Sequence, residues 1–349
     1  MYYFKLILCT IEVYVCQLSK KLNMSDVAKA VGVSKTTISR YLHGEYDFMS
    51  KETKEKISTI IKELDYRPNK FAQSLKSKKS NIIGVSIADI GNPFSSLLLK
   101  GIQEKCRKHH LQLLVSDANN NLKYEQENIE ALLDAQVDGL IINTVGNNYE
   151  YLRNYTQAKN HKPIVLLDRI HEPLICDCVT TNNYEITHQL LTKLYQQNFS
   201  YIIFLTPETK GISTRSTRKQ AVEDLQKNNL QGKTIICKKN NKAFASKLLS
   251  CLKQHTADKI CIFVNNEETL RELLDILPAN IRQKIGICAF ADEKWVKYSC
   301  DGITCIDQNP HLMGEISLQQ LVKNIKKPLK EHELIEVPGT IYFHKSTDI

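Results

Sequence analysis

The chain has no Cys-x-x-Cys pair, no spacing suited to a bound metal, no Gly-rich phosphate loop and no nucleophile elbow. Those absences argue against zinc ribbons, nucleotide-dependent enzymes and serine hydrolases, and no cofactor or metal is expected. The histidines are scattered, and His109 and His110 read as surface residues. There is also no apolar run of transmembrane length. The cysteines number 11, yet the nearest pair is Cys176/Cys178, and Cys237, Cys261 and Cys288 fall in apolar, strand-like runs. An odd, dispersed set of this kind fits buried thiols in a reducing cytosol better than disulfides. Tryptophan occurs once, at Trp295.

What is present is length, apolar residues and an uneven charge. At 349 residues, 42% of them hydrophobic, the chain can hold a small module and a larger core. The net charge is +9 and is concentrated: Lys20–Ser80 holds fourteen Lys/Arg against seven Asp/Glu. A basic excess gathered on one short stretch suits a module that neutralises phosphates. Residues 1–17 are apolar but interrupted by Glu12, with no small-residue cleavage site after them, which speaks against a signal peptide. They are expected to lie outside the fold, within an extension of residues 1–21, with the natural start near Leu18.

From Asn23 to Leu64 the pattern is that of three short helices. Asn23 and Asp26 are spaced to cap the first, and Gly32-Val33 suits a tight helix–helix turn. Ser34 caps the second, in which Ile38 and Leu42 share a face. Ser50 caps the third, in which Ile57, Ile60, Ile61 and Leu64 recur at helical spacing. The result is a helix-turn-helix. Pro68 then stops the third helix, Asn69 can cap a short further one, and Lys76, Lys78 and Lys79 charge it. Such a segment is too short to be a stable helix in water and is expected to fold against a partner.

Beyond Asn81, apolar strand-like runs alternate with helical ones: IIGVSIADI, LQLLVSDAN, VDGLIINTV and PIVLLDRI, then SYIIFLTP, KTIICKK, KICIFVNN and IGICAFAD. Buried strands alternating with helices imply α/β architecture with doubly wound parallel sheets. Two series imply two subdomains, with a cleft at the carboxyl ends of the strands.

The segments MSDVAKAVGVSKTTISRYLHG and YRPNKFAQSL, together with IGVSIADIGNPF, VDGLIIN, VLLDR and ITCIDQNPHLMGEIS in that order, resemble the LacI/GalR family of bacterial transcription regulators over Leu22–Ile349. The resemblance implies a small all-α helix-turn-helix domain (22–68), a hinge helix (69–80) and a periplasmic-binding-protein-like core (81–349). Within the core it implies a first subdomain of about 81–180 and 310–336, and a second of about 181–309 and 337–349. It further implies a cytoplasmic homodimer, not an enzyme and without a membrane segment, that represses carbohydrate-use genes from a palindromic operator under the control of a sugar or sugar-acid effector.

Carried across by position, Lys35, Thr36 and Arg40 fall where the recognition helix meets base edges, chemistry that arginine and threonine can perform. Ser25 matches a first-helix contact, and Ser34, Thr37 and Ser39 are placed for phosphates or caps. Asn69, Ala72, Gln73 and Leu75 fall in the hinge. Leu75 matches a leucine wedged into the minor groove, and Ala72 allows two hinge helices to approach. For the effector, the resemblance implies Asp89, Phe94, Asp168, Arg218, Asn265 and Asp292. Trp295 either stacks on a sugar face or covers the rim. Arg218 could take a carboxylate bidentately, which points to a sugar acid. Asn182-Asn183 stands where Asp-Asn is usual, Ala221 where Gly is usual, and Ala291-Asp292 where Asp-Asp is usual. The last change removes a common sugar-hydroxyl partner. VTTNNYE and the turn HGEYDFMSKET resemble the branch that regulates 2-keto-3-deoxygluconate use. A rival reading is a periplasmic-type sugar-binding protein, which the basic helix-turn-helix and the missing export signal oppose.

Overall fold

The computed structural model describes residues 22–67, 79–227, 230–237, 243–256, 258–327 and 331–348. The chain divides into two units, Met1–Ser80 and Asn81–Ile349.

In the first unit, α1 (Met24–Val31), α2 (Lys35–Leu42) and α3 (Lys51–Glu63) surround Val27, Ala28, Val31, Ile38 and Ile57, all buried. Each helix begins where a side chain satisfies its free amides. Asn23 and Asp26 form a reciprocal capping box on α1, Ser34 Oγ accepts from Thr37 N at 3.1 Å, and Ser50 Oγ accepts from Thr53 N at 3.1 Å. Gly32 ends α1 at φ +81°, a left-handed conformation that costs glycine nothing and turns the chain sharply into α2. Val33 packs against the same small core.

The second unit has two lobes. The first sheet has the order β11 (Leu334–Val337), β5 (Asp177–Thr181), β4 (Ile164–Leu167), β3 (Gly139–Asn143), β1 (Ile82–Ile87), β2 (Gln112–Asp117), all parallel. The second sheet has the order β12 (Thr340–Tyr342), β10 (Thr304–Asp307), β9 (Gly286–Phe290), β8 (Ile260–Val264), β6 (Tyr201–Thr206), β7 (Gln231–Ile236). Only β12 runs antiparallel, against β10. Each sheet has apolar side chains buried on both faces, as parallel sheets require.

The first lobe carries α4 (Pro93–Lys108), α5 (Leu122–Asp134) and α6 (Tyr149–Gln157), and the second begins with α7 (Asn183–Gln196). It continues through α8 (Ser213–Lys227), α9 (Ala243–Gln254), α10 (Glu267–Ile276) and two single turns, α11 (Ala279–Arg282) and α12 (Glu293–Val296). Then α13 (Pro310–Lys326) returns to pack on α4. That packing is backbone to backbone. A Cβ at Gly101 would stand 2.0 Å from the His311 carbonyl oxygen, and one at Gly314 would stand 2.2 Å from that of Leu98.

The chain passes between the lobes three times, near Asn182, Asn309 and Gly339, and these crossings are tied together. Gly339 N donates to Asn182 Oδ1 (2.9 Å), and Asn309 Nδ2 donates to the Pro338 carbonyl (2.8 Å). Strands β5, β10, β11 and β12 were not evident as apolar runs in the sequence.

Candidate effector cleft and nucleic-acid interface

In the helix-turn-helix unit, Lys35, Thr36 and Arg40 are exposed on α2 while Ile38 on the same helix is fully buried. Alternation at helical spacing divides α2 into a core face and a polar face. Ser34 and Thr37 share a hydroxyl–hydroxyl contact of 2.9 Å at the helix start, so Ser34 is a cap. Ser25 lies in the first turn of α1, where its amide donates to Asn23 Oδ1 at 2.8 Å. The Ser39 carbonyl is held by His43 Nδ1 at 2.7 Å. Asn69, Ala72, Gln73 and Leu75 lie outside the described residues.

Between the two lobes of the larger unit lies a cavity of about 830 Å³. Strand carboxyl ends furnish its walls from both sheets: Asp89 after β1, Asp168 after β4, Asn265 after β8 and Asp292 after β9. This is where open α/β sheets bind ligands, because loops diverge there and leave a crevice. Phe94 enters from the start of α4, its amide capped by Asn92 Oδ1 at 3.1 Å. Asp89 is held by the Asn120 amide (2.8 Å) and the Gly91 N–H (2.9 Å).

Arg218 is the best-fixed group. It is 4% exposed, its Nε donates to Asn183 Oδ1 (2.7 Å), and its Nη1 donates to the Asn265 carbonyl (2.7 Å). Its guanidinium lies 3.5 Å from the centre of the Phe290 ring. Burial pushes its pKa down to about 9, with Asp168 opposing and Arg215 and Arg169 reinforcing the shift. With Nε and Nη1 committed to the protein, Arg218 offers a ligand one nitrogen, Nη2, rather than the bidentate fork expected from the sequence. Asn183, at one of the unusual asparagine positions, therefore orients this arginine.

Asp168 is buried at φ +74°, and burial raises its carboxyl against the pull of Arg169 and Arg218. Gln308 Nε2 reaches Asp168 Oδ1 at 3.4 Å and Thr181 Oγ1 at 3.2 Å, linking a crossing segment to the cavity floor. Arg169 and Arg215 also line the cavity, and burial lowers both, Arg215 to about 10. The Arg169 Nη1 clamps the Thr144 carbonyl at 2.7 Å, while its buried Nε has no hydrogen-bond partner. Neither arginine was singled out from the sequence, although Arg169 directly follows Asp168 at a strand end, which was the available signal. Gln308 lies within the segment ITCIDQNPHLMGEIS.

One expectation is not met. Trp295 is not among the cavity-lining residues: it packs on the hydrophobic core of the second lobe with Arg271 5.2 Å over its ring. Its ring lies on that core and not on the cavity wall. Ala291 does line the cavity, so a methyl stands where a carboxylate is usual. The second lobe also lines the cavity with Glu208, Glu267, Glu268, Glu272 and Asp292, and Glu267 accepts from Asp292 N at 3.4 Å.

Behind the cavity, Glu125 on α5 is fully buried and accepts from Thr144 Oγ1 (3.0 Å), Val145 N and Asn148 Nδ2. Asn148 is in turn bonded to His171 Nε2 at 2.6 Å. This network holds the loop after β3, whose Gly146 meets Gly211 of the other lobe so closely that a Cβ would stand 2.4 Å from the Gly211 oxygen. Ile170 N also donates across the lobes to Ser213 Oγ at 2.8 Å.

A capped helix-turn-helix followed by a two-lobed core with a polar central cleft is the plan of a ligand-responsive DNA-binding regulator. The profile of bacterial regulatory proteins of the lacI family matches residues 23–69, and that of periplasmic binding proteins and the sugar-binding domain of the LacI family matches residues 80–285. The chain belongs to the LacI family of transcription regulators. It is 34% identical to the HTH-type transcriptional regulator KdgR of Bacillus subtilis, over 93% of this chain and 97% of that one. It is 28% identical to the regulator PtxS of Pseudomonas aeruginosa, over 94% and 96%. Among solved structures, the lac repressor dimer bound to operator and an anti-inducer shares the fold at a TM-score of 0.79 and 20% identity, covering 94% of this chain and 99% of that one. Among the described residues no helix is long and apolar enough to cross a membrane.

Proposed function

We propose that the protein is a cytoplasmic, homodimeric repressor, without enzymatic activity, whose hold on a palindromic operator is set by a sugar acid in the interlobe cavity. One recognition helix reads a half-site, and two-fold symmetry supplies the second. Lys35, Thr36 and Arg40 meet base edges in the major groove. Ser25, Ser34, Thr37, Ser39, Asn69 and Gln73 meet the backbone or order the helices, and Leu75 wedges the central minor groove with Ala72 at the close approach of two hinges.

The observation that carries the effector reading is the cluster of Arg169, Arg215 and Arg218, close enough that each of the last two is affected by its cationic neighbours. Asp168 is the carboxylate that faces all three. Three guanidinium groups gathered around one shared acid suit a ligand carboxylate, with Glu268 and Glu208 acting on Arg215 alone and Glu125 on Arg169 alone, while Asp89, Asp292 and Asn265 suit hydroxyl groups. The likeness to KdgR supports 2-keto-3-deoxygluconate as the sugar acid.

Thermal unfolding tests this with 2-keto-3-deoxygluconate, gluconate and glucose. A ligand at a hundred times its Kd stabilises the fold by about 2.7 kcal/mol. The sugar acids are expected to raise the melting temperature and glucose to leave it unchanged; a response to glucose alone would overturn the acid reading. For the hinge, Leu75→Ala is expected to weaken operator binding and leave the sugar-acid response intact. Unchanged operator affinity rejects the wedge.

A further inference from the structure

The turn after α2 contains an aromatic residue that the three-helix core does not use. Phe48 is 66% exposed and is absent from the residues packed around Val27 and Ile38, whereas its neighbour Met49 packs there. A mostly exposed phenylalanine leaves apolar surface in water and adds nothing to this core. Its contact is Arg40, whose guanidinium carbon lies 4.8 Å from the ring centre. That distance is within the range at which a cation is attracted to an aromatic face.

The turn that carries the ring is anchored at both ends by hydrogen bonds, and the Arg40 side chain beside it is exposed. Glu45 N donates to the Arg40 carbonyl (3.0 Å), which fastens the start of the turn to α2. The turn itself, Tyr46–Phe48, is a single 3-10 turn closed by Met49 N on the Tyr46 carbonyl (3.2 Å). Lys54 of α3 sits 3.6 Å over the Tyr46 ring, and Tyr41 meets Tyr46 edge-on at 5.7 Å. Ser50 then caps α3. Phe48 thus lies between two anchored points, while Arg40 is a long, exposed side chain that without the ring would sample many rotamers. Restricting those rotamers before DNA arrives reduces the entropy lost on binding.

We infer that Phe48 is a positioning residue for DNA recognition: its ring holds the Arg40 guanidinium in the orientation in which it meets a base edge. The inference rests on the reading that Arg40 contacts the operator. It differs from a direct role, in which Phe48 itself touches DNA, for instance a thymine methyl.

A double-mutant cycle separates these cases. The probe is a palindromic duplex selected from a random-sequence pool by the wild-type full-length protein, together with its single-base variants. Binding is followed by fluorescence anisotropy at several salt concentrations. Phe48→Ala is expected to weaken binding by about two- to five-fold, the range of an exposed cation–π contact. Phe48→Ala is also expected to reduce discrimination at the base pair that Arg40→Ala affects. Its salt dependence should match wild type, because no phosphate-neutralising charge is lost. Phe48→Tyr should restore binding, and Phe48→Leu, which keeps apolar bulk without an aromatic face, should not. In the Arg40→Ala background Phe48→Ala should have no further effect. An equal loss in that background, or unchanged or tighter binding by Phe48→Ala alone, overturns the inference. An Arg40→Ala protein that binds as wild type would instead remove the reading beneath it. If Phe48→Ala lowers the melting temperature, the Leu and Tyr pair decides: equal binding by those two variants also overturns it.

Discussion

The recognition helix and the effector cleft both depend on arginine, and they treat it in opposite ways. Arg40 is exposed on α2 and touches one aromatic ring. Arg218 is 4% exposed and is fixed by Asn183, Asn265 and Phe290. An exposed cation keeps its hydration until a phosphate or base replaces the water, so its removal costs affinity and little stability. A buried cation has already lost that hydration, and its partners are built around it. Removing Arg218 should therefore damage fold and ligand binding together.

The sharpest test of this contrast is Arg218→Ala. It leaves Asn183 Oδ1 and the Asn265 carbonyl without their donor and Asp168 with one cation fewer. A loss of about 3–5 kcal/mol is expected, as for one partner removed from a buried ionic group. Urea unfolding should show an early transition, and the sugar-acid shift in melting temperature should vanish. If stability is unchanged, the buried network described around Arg218 is not what holds that wall.

A smaller effect is expected from pH acting on Glu125. Burial raises this carboxyl from 4.5 to about 7, against the hydrogen bonds from Val145, Thr144 and Asn148. Between those values the folded chain keeps a proton that the unfolded chain has released. The associated stability is complete below pH 4.5 and is lost as the pH rises through 7. The loss amounts to about 3 kcal/mol from the size of the shift. Urea midpoints between pH 5 and pH 8 should therefore fall in wild type more steeply than in Glu125→Gln, whose side chain does not titrate. Parallel slopes would place the charge of Glu125 elsewhere in the balance.

The smallest effect sharpens the exposed side of the comparison. Ser34→Ala removes the cap of α2 and should cost about 1 kcal/mol of stability in the helix-turn-helix unit. The expected readout is a lower melting temperature of that unit, with no change in the response of the core to sugar acids. A coupled loss in both would contradict their division into separate units.

Much of this was legible in the chain. Helix starts at Asn23, Ser34 and Ser50 could be read because capping is a local contest between side chain and backbone. The apolar strands of both sheets could be read because burial on two faces demands continuous apolar runs. Strand β5 could not, because its sequence DCVTT is polar. Its burial leaves Asp177 to be satisfied by Gln320 (2.6 Å), Asn324 (2.8 Å) and the Glu333 amide (2.9 Å), all far along the chain. The short strands β10, β11 and β12 carry too few residues for a period to emerge.

The cleft divides in the same way. Asp89, Phe94, Asp168, Arg218, Asn265 and Asp292 were named from the sequence and line one cavity. Arg215 and Gln308 join them only because the chain crossings bring the lobes together, whereas Arg169 directly follows Asp168. Trp295 was placed at the cavity by type alone, since an indole can stack on a sugar face or cover a rim, whereas in the structure it packs on the core of the second lobe.

The sequence by itself determined the helix-turn-helix, the alternation of strand and helix and the polar face of α2, because each depends on neighbours within a turn or two of chain. The tertiary structure decided which arginines share the cleft, that Arg218 has one nitrogen to offer, and that a phenylalanine stands beside Arg40. Those facts depend on distances between residues remote in the chain or on side-chain geometry, and periodicity carries no record of either.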